Sequence, residues 1–535
     1  MAIKDSSLKL AIKNIASFGD TDVFPTPIEK HWFAEDSETV LGLLVKLRND
    51  LDAAFKWLPI TSSTELVNVG HFGFRSATQI EPLWNAFFLA ATIELAEVFE
   101  SKRQPKNRVF SYRFAPDEQS GGLFSNCGWR DFHKQGIKTA KSKQYVAVVD
   151  ISDFYPRIYH HRLENALTTD CGCDGSVVKI VDKLLRRFNS GNSYGLPVGG
   201  AASRILAEAL LVRSDRLLEI RKVNFLRFVD DYIIFGKTED QVRTAILELS
   251  RILLDNEGLS LNRNKIRIYP SDWYIQQSVF AEATSNQPDE IKKKKEYFSA
   301  FVRFDPYSET AEEDYETLRE SVKKYDVLGW LFTEVERVPI DIYMVRQLIK
   351  SLKLMGEQQK SDGVKKLASN LKHLSPVFTT IARTFYDIRN DIDDEVASLF
   401  FEEVRNLVDA RQPLIGASGT LAFAIQILSI DPSDAAESSL QSIFDRPDRT
   451  QIIEREVVMA MGRRASNSWV SDMKNRHGGL SSPWSKRALL VASFCLGDGG
   501  REWRKRLKKD LPEHDKLLLE WVSSKNCGDL WDIPL

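Results

Sequence analysis

The run Phe225-Leu226-Arg227-Phe228-Val229-Asp230-Asp231-Tyr232-Ile233-Ile234-Phe235 decides how this chain is read. Two adjacent carboxylates lie between two aromatic and β-branched runs, the composition of strands. A hairpin here places Asp230 and Asp231 at the turn, where neighbouring anions can stay hydrated. Buried without partners they would be costly. A divalent cation is the natural compensation, and hard carboxylate oxygens suit Mg2+. The plainer alternative is an Asp-rich turn with no chemistry, and these residues alone leave both open.

Upstream lies a second carboxylate cluster. Tyr145-Val146-Ala147-Val148-Val149 is a continuous apolar run of the kind expected of a buried strand, and it ends in Asp150-Ile151-Ser152-Asp153-Phe154-Tyr155-Pro156. An Asp at the exit of a buried strand sits where sites concentrate. Ser152 or Asp153 as the cap of a helix starting near Tyr159 explains Asp153 but explains Asp150 poorly. Between the clusters, Ser190 to Gly200 carries four glycines and a proline. The helix expected after it, from Ala201-Ala202-Ser203, offers an N-terminus that favours phosphate. Downstream, a helix over Glu239 to Asn256 is expected to end at Gly258. Leu259 to Lys265 then leads into a strand at Ile266 to Tyr269.

Three Asp from separated strands, a glycine loop and a late lysine ask for one chemistry. Two Mg2+ ions held by carboxylates activate an attacking oxygen and stabilise a leaving phosphate oxygen. In this reading Asp150 and Asp230 bridge both ions and Asp231 is a secondary ligand. Lys265 protonates or neutralises a pyrophosphate leaving group. Arg75, and the arginines of a strand-like Arg108-Val109-Phe110-Ser111-Tyr112-Arg113-Phe114, can grip phosphates bidentately, although a single arginine is more often a solvated surface charge.

These residues resemble a family. Asp150-Ile151-Ser152-Asp153-Phe154-Tyr155 resembles motif A of reverse transcriptases, and Gly195-Leu196-Pro197-Val198-Gly199 resembles motif B. Phe228-Val229-Asp230-Asp231 resembles the motif C box, and Leu259 to Lys265 resembles motif D. Order and spacing match over residues 60–270. Arg75-Ser76-Ala77-Thr78-Gln79, Val109 to Phe114 and Ala202 to Glu208 are similar to the bacterial abortive-infection, defence-associated (AbiK-like) members. The resemblance implies a Mg2+-dependent DNA polymerase using dNTPs, with two ions held by Asp150, Ile151, Asp230 and Asp231. It implies a steric gate at Tyr155, contacts to primer or nucleotide from Gly199 and Ser203, and phosphate contacts from Arg75 and Arg113. It also implies a DNA product made without a template and primed from a protein hydroxyl, or copied from a partner non-coding RNA. Antiphage defence and a homo-oligomer belong to the same expectation. Two positions depart from the family pattern. Val198 replaces the polar residue, often Gln, that helps position a template, and Phe228 replaces Tyr at the start of motif C.

The rest of the chain fits this outline. A length of 535 residues suggests about three domains. With 43% hydrophobic and 28% charged residues it reads as globular, and its net charge of -2 confines any basic surface to local patches. No run of about 18 apolar residues is evident, so no membrane span is expected. The N-terminus has no apolar signal core. The lone Cys171-Cys173 pair lacks partner ligands for zinc, and free thiols in a cytoplasmic setting are the simpler reading. The expected fold is an α+β polymerase palm-and-fingers domain followed by an all-α HEAT-like helical-repeat domain. Its divisions are a helical region over 1–60, fingers and palm over 60–275, a linker over 276–310, and α-helical repeats over 311–535. Beyond 310, amphipathic helices alternate with breaks at Pro376, Pro413, Pro432, Pro447 and Pro483. Lys292 to Lys295 reads as a solvated helix face that could also bind phosphates, and Trp503-Arg504-Lys505-Arg506-Leu507-Lys508-Lys509 adds basic surface. A group II intron or retron-type reverse transcriptase is the alternative within the enzyme class; the C-terminal half discriminates, since an intron maturase or HNH endonuclease would bring Cys/His clusters, which are absent. A helical-repeat binding protein with a degenerate polymerase is opposed by the intact Asp150, Asp230 and Asp231.

Overall fold

The computed structural model describes residues 3–70, 73–125, 128–277 and 326–525. The expected linker and the lysine run Lys292 to Lys295 lie outside the described residues. The chain forms two compact units, each assembled from two separated segments: Met1–Asp20 with Trp84–Tyr315, and Thr21–Leu83 with Glu316–Leu535.

The first unit is built on a four-stranded antiparallel sheet: β3 (Tyr145–Asp150), β4 (Asn224–Phe228), β5 (Asp231–Gly236) and β6 (Arg267–Pro270), in the order β4-β5-β3-β6. β4 and β5 form the hairpin expected over 225–235. Asp231 already belongs to β5, so the turn holds Val229 and Asp230. Strand residues alternate faces. Val146, Leu226, Ile233 and Phe235 join Phe110, Phe132, Ala140 and Tyr274 in one buried cluster. The intervening Ala147, Val149, Tyr232 and Ile234 are also buried, so both faces are covered. Helix Trp129–Ala140 packs against β4 and β5, and helix Glu239–Glu257 against β3 and β5. Thr238 caps the latter by accepting from the Gln241 N–H, and Gly258 ends it at φ 68, a conformation glycine adopts without strain.

Three expectations change here. Residues 108–114 do not form a strand. Val109 and Phe114 make only isolated bridges, to Arg227 and Phe124, and Tyr112 has φ 42. Asp153 makes no side-chain cap; it sits at φ 48 and its nearest ion pair is Arg157 at 3.9 Å. Residues Pro82–Phe99 form an 18-residue helix that is apolar nearly all round. Among the described residues, Pro82–Lys102 is the one stretch long and apolar enough to cross a membrane, contrary to the expectation that none exists. Its apolar window is 83% buried inside the protein, as in a core helix.

The second unit joins a hairpin to a series of helices. β1 (Ser62–Val69) and β2 (Gly73–Ile80) pair antiparallel and pack β1 against helix Ser418–Ile430. A side chain at Gly419 would collide with Val67, which explains a glycine in that helix. The helices pack largely on their next-but-one neighbours: Ile342–Ser351 on Phe378–Ile388, Glu357–Ala368 on Asp394–Asp409, Ser418–Ile430 on Gln451–Arg463, and Gln451–Arg463 on Pro483–Ala492. Arg487 ties the early segment to the late one. Its guanidinium bonds Glu29 Oε1 at 2.8 Å, Glu81 Oε1 at 2.7 Å and Asp515 Oδ1 at 2.6 Å, all buried.

Candidate active site

Pairing between β3 and β5 sets Asp150 opposite Asp231, and pairing between β4 and β5 sets Phe228 opposite Asp231. That register delivers the β4–β5 turn to the exit of β3. The Ile151 N–H donates to the Asp230 carbonyl at 3.1 Å, so the two chain segments are stitched by backbone rather than by side chains. Carboxylate oxygens of Asp150, Asp230 and Asp231 all lie within 4.8 Å of one another. Ile151, expected beside them in the ligand set, has its side chain buried at 1% exposure.

Segment 259–265 closes over Asp150. The Asn262 N–H donates to the Asp150 carbonyl at 2.7 Å, and Asn262 Nδ2 to Asp150 Oδ2 at 3.2 Å. Lys265 Nζ lies 3.1 Å from the same oxygen. Asn262 was not among the expected site residues, because a lone amide in a loop carries no local signal. Burial lowers the affinity of Lys265 for its proton, but the bond to Asp150 and the charges of Asp150, Asp231 and Asp230 outweigh this, and its pKa is raised. Asp230 is pushed up to about 7, first by burial and then by the neighbouring charges of Asp231 and Asp150. Three carboxylates facing one lysine leave an excess of negative charge held at close range. That donor set fits divalent cations, whose binding would remove the repulsion that now favours protonation.

The turn itself is strained. Val229 has φ 55, a left-handed conformation that β-branched residues rarely adopt. Both of its backbone polar groups are held from below. Its N–H donates to Ser111 Oγ at 2.8 Å, and its carbonyl accepts from Arg227 Nη1 at 2.9 Å. The Ser111 hydroxyl donates to Glu208 Oε1 at 2.5 Å. Glu208 in turn meets Arg103 at 2.5 Å and Arg227 at 3.0 Å, and Arg227 meets Asp215 at 2.7 Å. All of these side chains are buried, and two cations balance two anions. Burial alone would raise Glu208, but Arg227 and Arg103 hold its pKa below the usual range. For Asp215 burial wins and the pKa is raised.

The glycine loop is fastened to the segment after β3. Gly195 N–H donates to the Ile158 carbonyl at 2.8 Å, and Leu196 N–H to the Tyr155 carbonyl at 3.0 Å. The Gly195 carbonyl accepts from Asn189 Nδ2 at 2.8 Å and contacts His160 Nε2 at 2.8 Å. Gly195 and Gly199 have φ 92 and 123, values that a side chain would strain. The Tyr155 phenol is raised well above its ordinary pKa by burial, then by Tyr112, with Arg204 opposing and Asp230 and Glu208 adding. The phenol thus feels the charge of Asp230. Ser203 is 2% exposed within helix Ala201–Leu210, so the expected nucleotide contact is covered by protein. Arg113 is engaged elsewhere: 5% exposed, it pairs with Glu100 at 2.6 Å and donates to the Gln104 carbonyl at 2.6 Å. Those internal acceptors replace the expected phosphate contact. Arg75 is exposed on β2 of the second unit.

One comparison with known protein families covers this region. Residues 100–328 match the family described as reverse transcriptase (RNA-dependent DNA polymerase). No curated protein matches the sequence. Similar solved structures include telomerase from Candida albicans with a fragment of telomeric RNA, at 10% identity and TM-score 0.30, covering 67% of this chain and 66% of that one. Apo telomerase from Candida tropicalis gives 10% identity and TM-score 0.30, covering 78% and 74%. The chain thus spans just under two thirds of the first of these. The matched segment contains Asp150, Asp230, Asp231 and Lys265, and through it the chain carries a reverse transcriptase domain.

Proposed function

We propose that this domain joins deoxynucleotides by two-metal nucleotidyl transfer at Asp150, Asp230 and Asp231. The observation that carries the reading is the convergence of three carboxylates within 4.8 Å, drawn from the end of β3, the β4–β5 turn and the start of β5. Two Mg2+ ions held there would supply charge stabilisation for the attacking and leaving oxygens. The chain's own groups do the rest. Lys265, 3.1 Å from Asp150, keeps a proton and a positive charge where a pyrophosphate leaving group gains charge. Tyr155 sets a ring beside the site, where a ribose 2'-hydroxyl would meet it, and so selects deoxynucleotides. The glycine loop presents backbone near the same segment, with Gly199 and Ser203 at its junction with the next helix.

Val198, in place of a polar template-positioning residue, supports synthesis that is untemplated or restricted to one partner RNA. The phrases Arg75 to Gln79, Val109 to Phe114 and Ala202 to Glu208 support an antiphage, abortive-infection role, in a homo-oligomer. The next-but-one packing of helices in the second unit supports a HEAT-like solenoid.

The test is incubation of the purified protein with each dNTP and Mg2+, with no added template, followed by detection of labelled DNA attached to protein. Incorporation that Asp230→Ala abolishes supports the assignment, and equal incorporation by the variant overturns it. Activity that appears only with a co-purified RNA selects templated copying. Phage plating on cells carrying wild type or Asp230→Ala tests the defence role: equal plating on both removes it.

A further inference from the structure

The chain as a whole is slightly acidic, at net charge -2. Against that background one cleft in the second unit stands apart. It is lined by Arg501, Arg504, Lys505, Lys508, Lys516 and Lys525, with Glu520 the only acid among its lining residues, and it encloses about 320 Å³. Its walls come from helix Gly497–Leu507, the turn after it, and helix Glu513–Ser523. Six cations on one concavity repel one another, and the arrangement is relieved by a polyanion.

The internal acids do not neutralise the cleft. Lys508 pairs with Glu520 at 3.0 Å, but both side chains are more than half exposed. Arg501 pairs with Asp498 at 2.5 Å, again at the surface. Such exposed pairs stabilise little, so a phosphate exchanges for the carboxylate at little cost. Lys525 is tied to Glu35. Lys516 donates only to a main-chain oxygen, that of Lys509, at 3.3 Å.

The floor is not polar. Phe494, Leu519 and Val522 line it, and the Arg504 guanidinium lies over the Phe494 ring at 3.4 Å, held there by Ser493 Oγ at 2.8 Å. A guanidinium held over an aromatic ring offers a platform on which a base can stack while neighbouring lysines hold the backbone. A free inorganic anion would use the charges but not the floor, and a duplex is too wide for a concavity of this size. We propose that this cleft binds single-stranded nucleic acid, as a site separate from the carboxylate triad. The proposal rests on the reverse transcriptase domain only in that such a domain works on a polynucleotide.

The experiment measures binding of the full-length protein to fluorescent oligo(dT) and oligo(U) of about 20 nucleotides, long enough for several phosphate contacts, over a range of salt. EDTA is present and dNTPs are absent, so that loss of polymerisation does not affect the reading. Lys505→Glu/Lys508→Glu is compared with Lys365→Glu/Lys372→Glu, which changes net charge equally at exposed positions outside the cleft. The cleft variant is expected to bind about 10-fold or more weakly near 0.1 M salt, with a log–log salt slope shallower by about 1.4, from 0.7 per lost phosphate contact on a single strand. Both pairs weakening binding equally, or neither changing it, overturns the proposal. Preference between the two oligomers tells product DNA from RNA. Polyglutamate displacing the oligonucleotide as well as unlabelled oligo(dT) does overturns it in favour of an acidic protein partner. Should the cleft variant not fold, photocrosslinking of thiothymidine oligonucleotide to the wild type decides: adducts in the 494–525 peptides support the site, and adducts confined to 100–277 refute it.

Discussion

Ser111 holds the backbone of the turn that carries Asp230, and Ser111→Ala tests quantitatively whether it positions the proposed site. Its Oγ accepts from the N–H of Val229, the residue held at φ 55, and donates to Glu208. A left-handed non-glycine residue persists only where surroundings over-determine it, at about 1–3 kcal/mol of strain. Removing Oγ leaves a buried N–H unsatisfied, at about 1–3 kcal/mol, and takes one donor from a carboxylate that still has Arg103 and Arg227. The combined loss is about 2–4 kcal/mol. It falls on the link between Val229 and Asp230, whose carbonyl fixes Ile151 and through it Asp150. If about 2 kcal/mol of that loss appears as misplacement of the triad, kcat falls about 30-fold. The assay is dNTP incorporation at varied Mg2+ alongside thermal unfolding. The expected outcome is a lower kcat and a raised half-saturating Mg2+ concentration in the fraction that remains folded. Ser214→Ala removes a comparably buried hydroxyl bonded to Glu257 rather than to the turn, and is expected to change Tm alone. A Ser111→Ala enzyme with wild-type kcat and Mg2+ dependence, merely less stable, refutes the reasoning.

Glu257 is buried beside Ser214 and its pKa is raised to about 7, chiefly by burial. A carboxyl raised in the folded state favours the native protein while protonated, so stability is full below about 4.5 and falls as pH rises towards 7, by about 3 kcal/mol. Glu257→Gln is therefore expected to raise Tm at pH 8 and to leave it unchanged at pH 4.5; the opposite pH trend would reject this. Lys265→Met removes a side chain that is 60% exposed. Stability should move by less than about 1 kcal/mol in urea denaturation while kcat falls at least about 10-fold, since exposed ion pairs stabilise little. Arg487→Ala leaves Glu29, Glu81 and Asp515 buried around a missing cation. A loss of at least about 3–5 kcal/mol is expected in the unfolding of the second unit, and a loss below about 1 kcal/mol would show that the arginine does not hold the segments together.

What could be read from sequence followed the range of the interaction involved. The β4–β5 turn and β3 were legible because each is a short apolar run ending in acid, a pattern local to a few residues. Helix Glu239–Glu257 was legible for the same reason, with Gly258 marking its end. The grouping of residues 21–83 with the distant C-terminal helices was not. It depends on Arg487 meeting Glu29 and Glu81 across more than 400 positions, and nothing near any of the three announces the others. Arg113 misled for a related reason: an arginine offers the same fork to a phosphate as to Glu100, and only the fold decides which oxygen arrives. Residues 108–114 look like a strand and yet make only bridges: the Arg108 carbonyl and the Phe110 N–H bond the Arg227 main chain in β4, and the backbone then turns away at Tyr112 with φ 42. Ser111 bonds Val229 and Arg108 bonds the Arg227 main chain, so a segment with strand composition is used as a clamp beneath the carboxylates. The triad is thus visible in sequence while the support that sets its geometry is not, and variants of Ser111, Glu208 or Arg227 can impair the site without altering any of the motifs by which it is recognised.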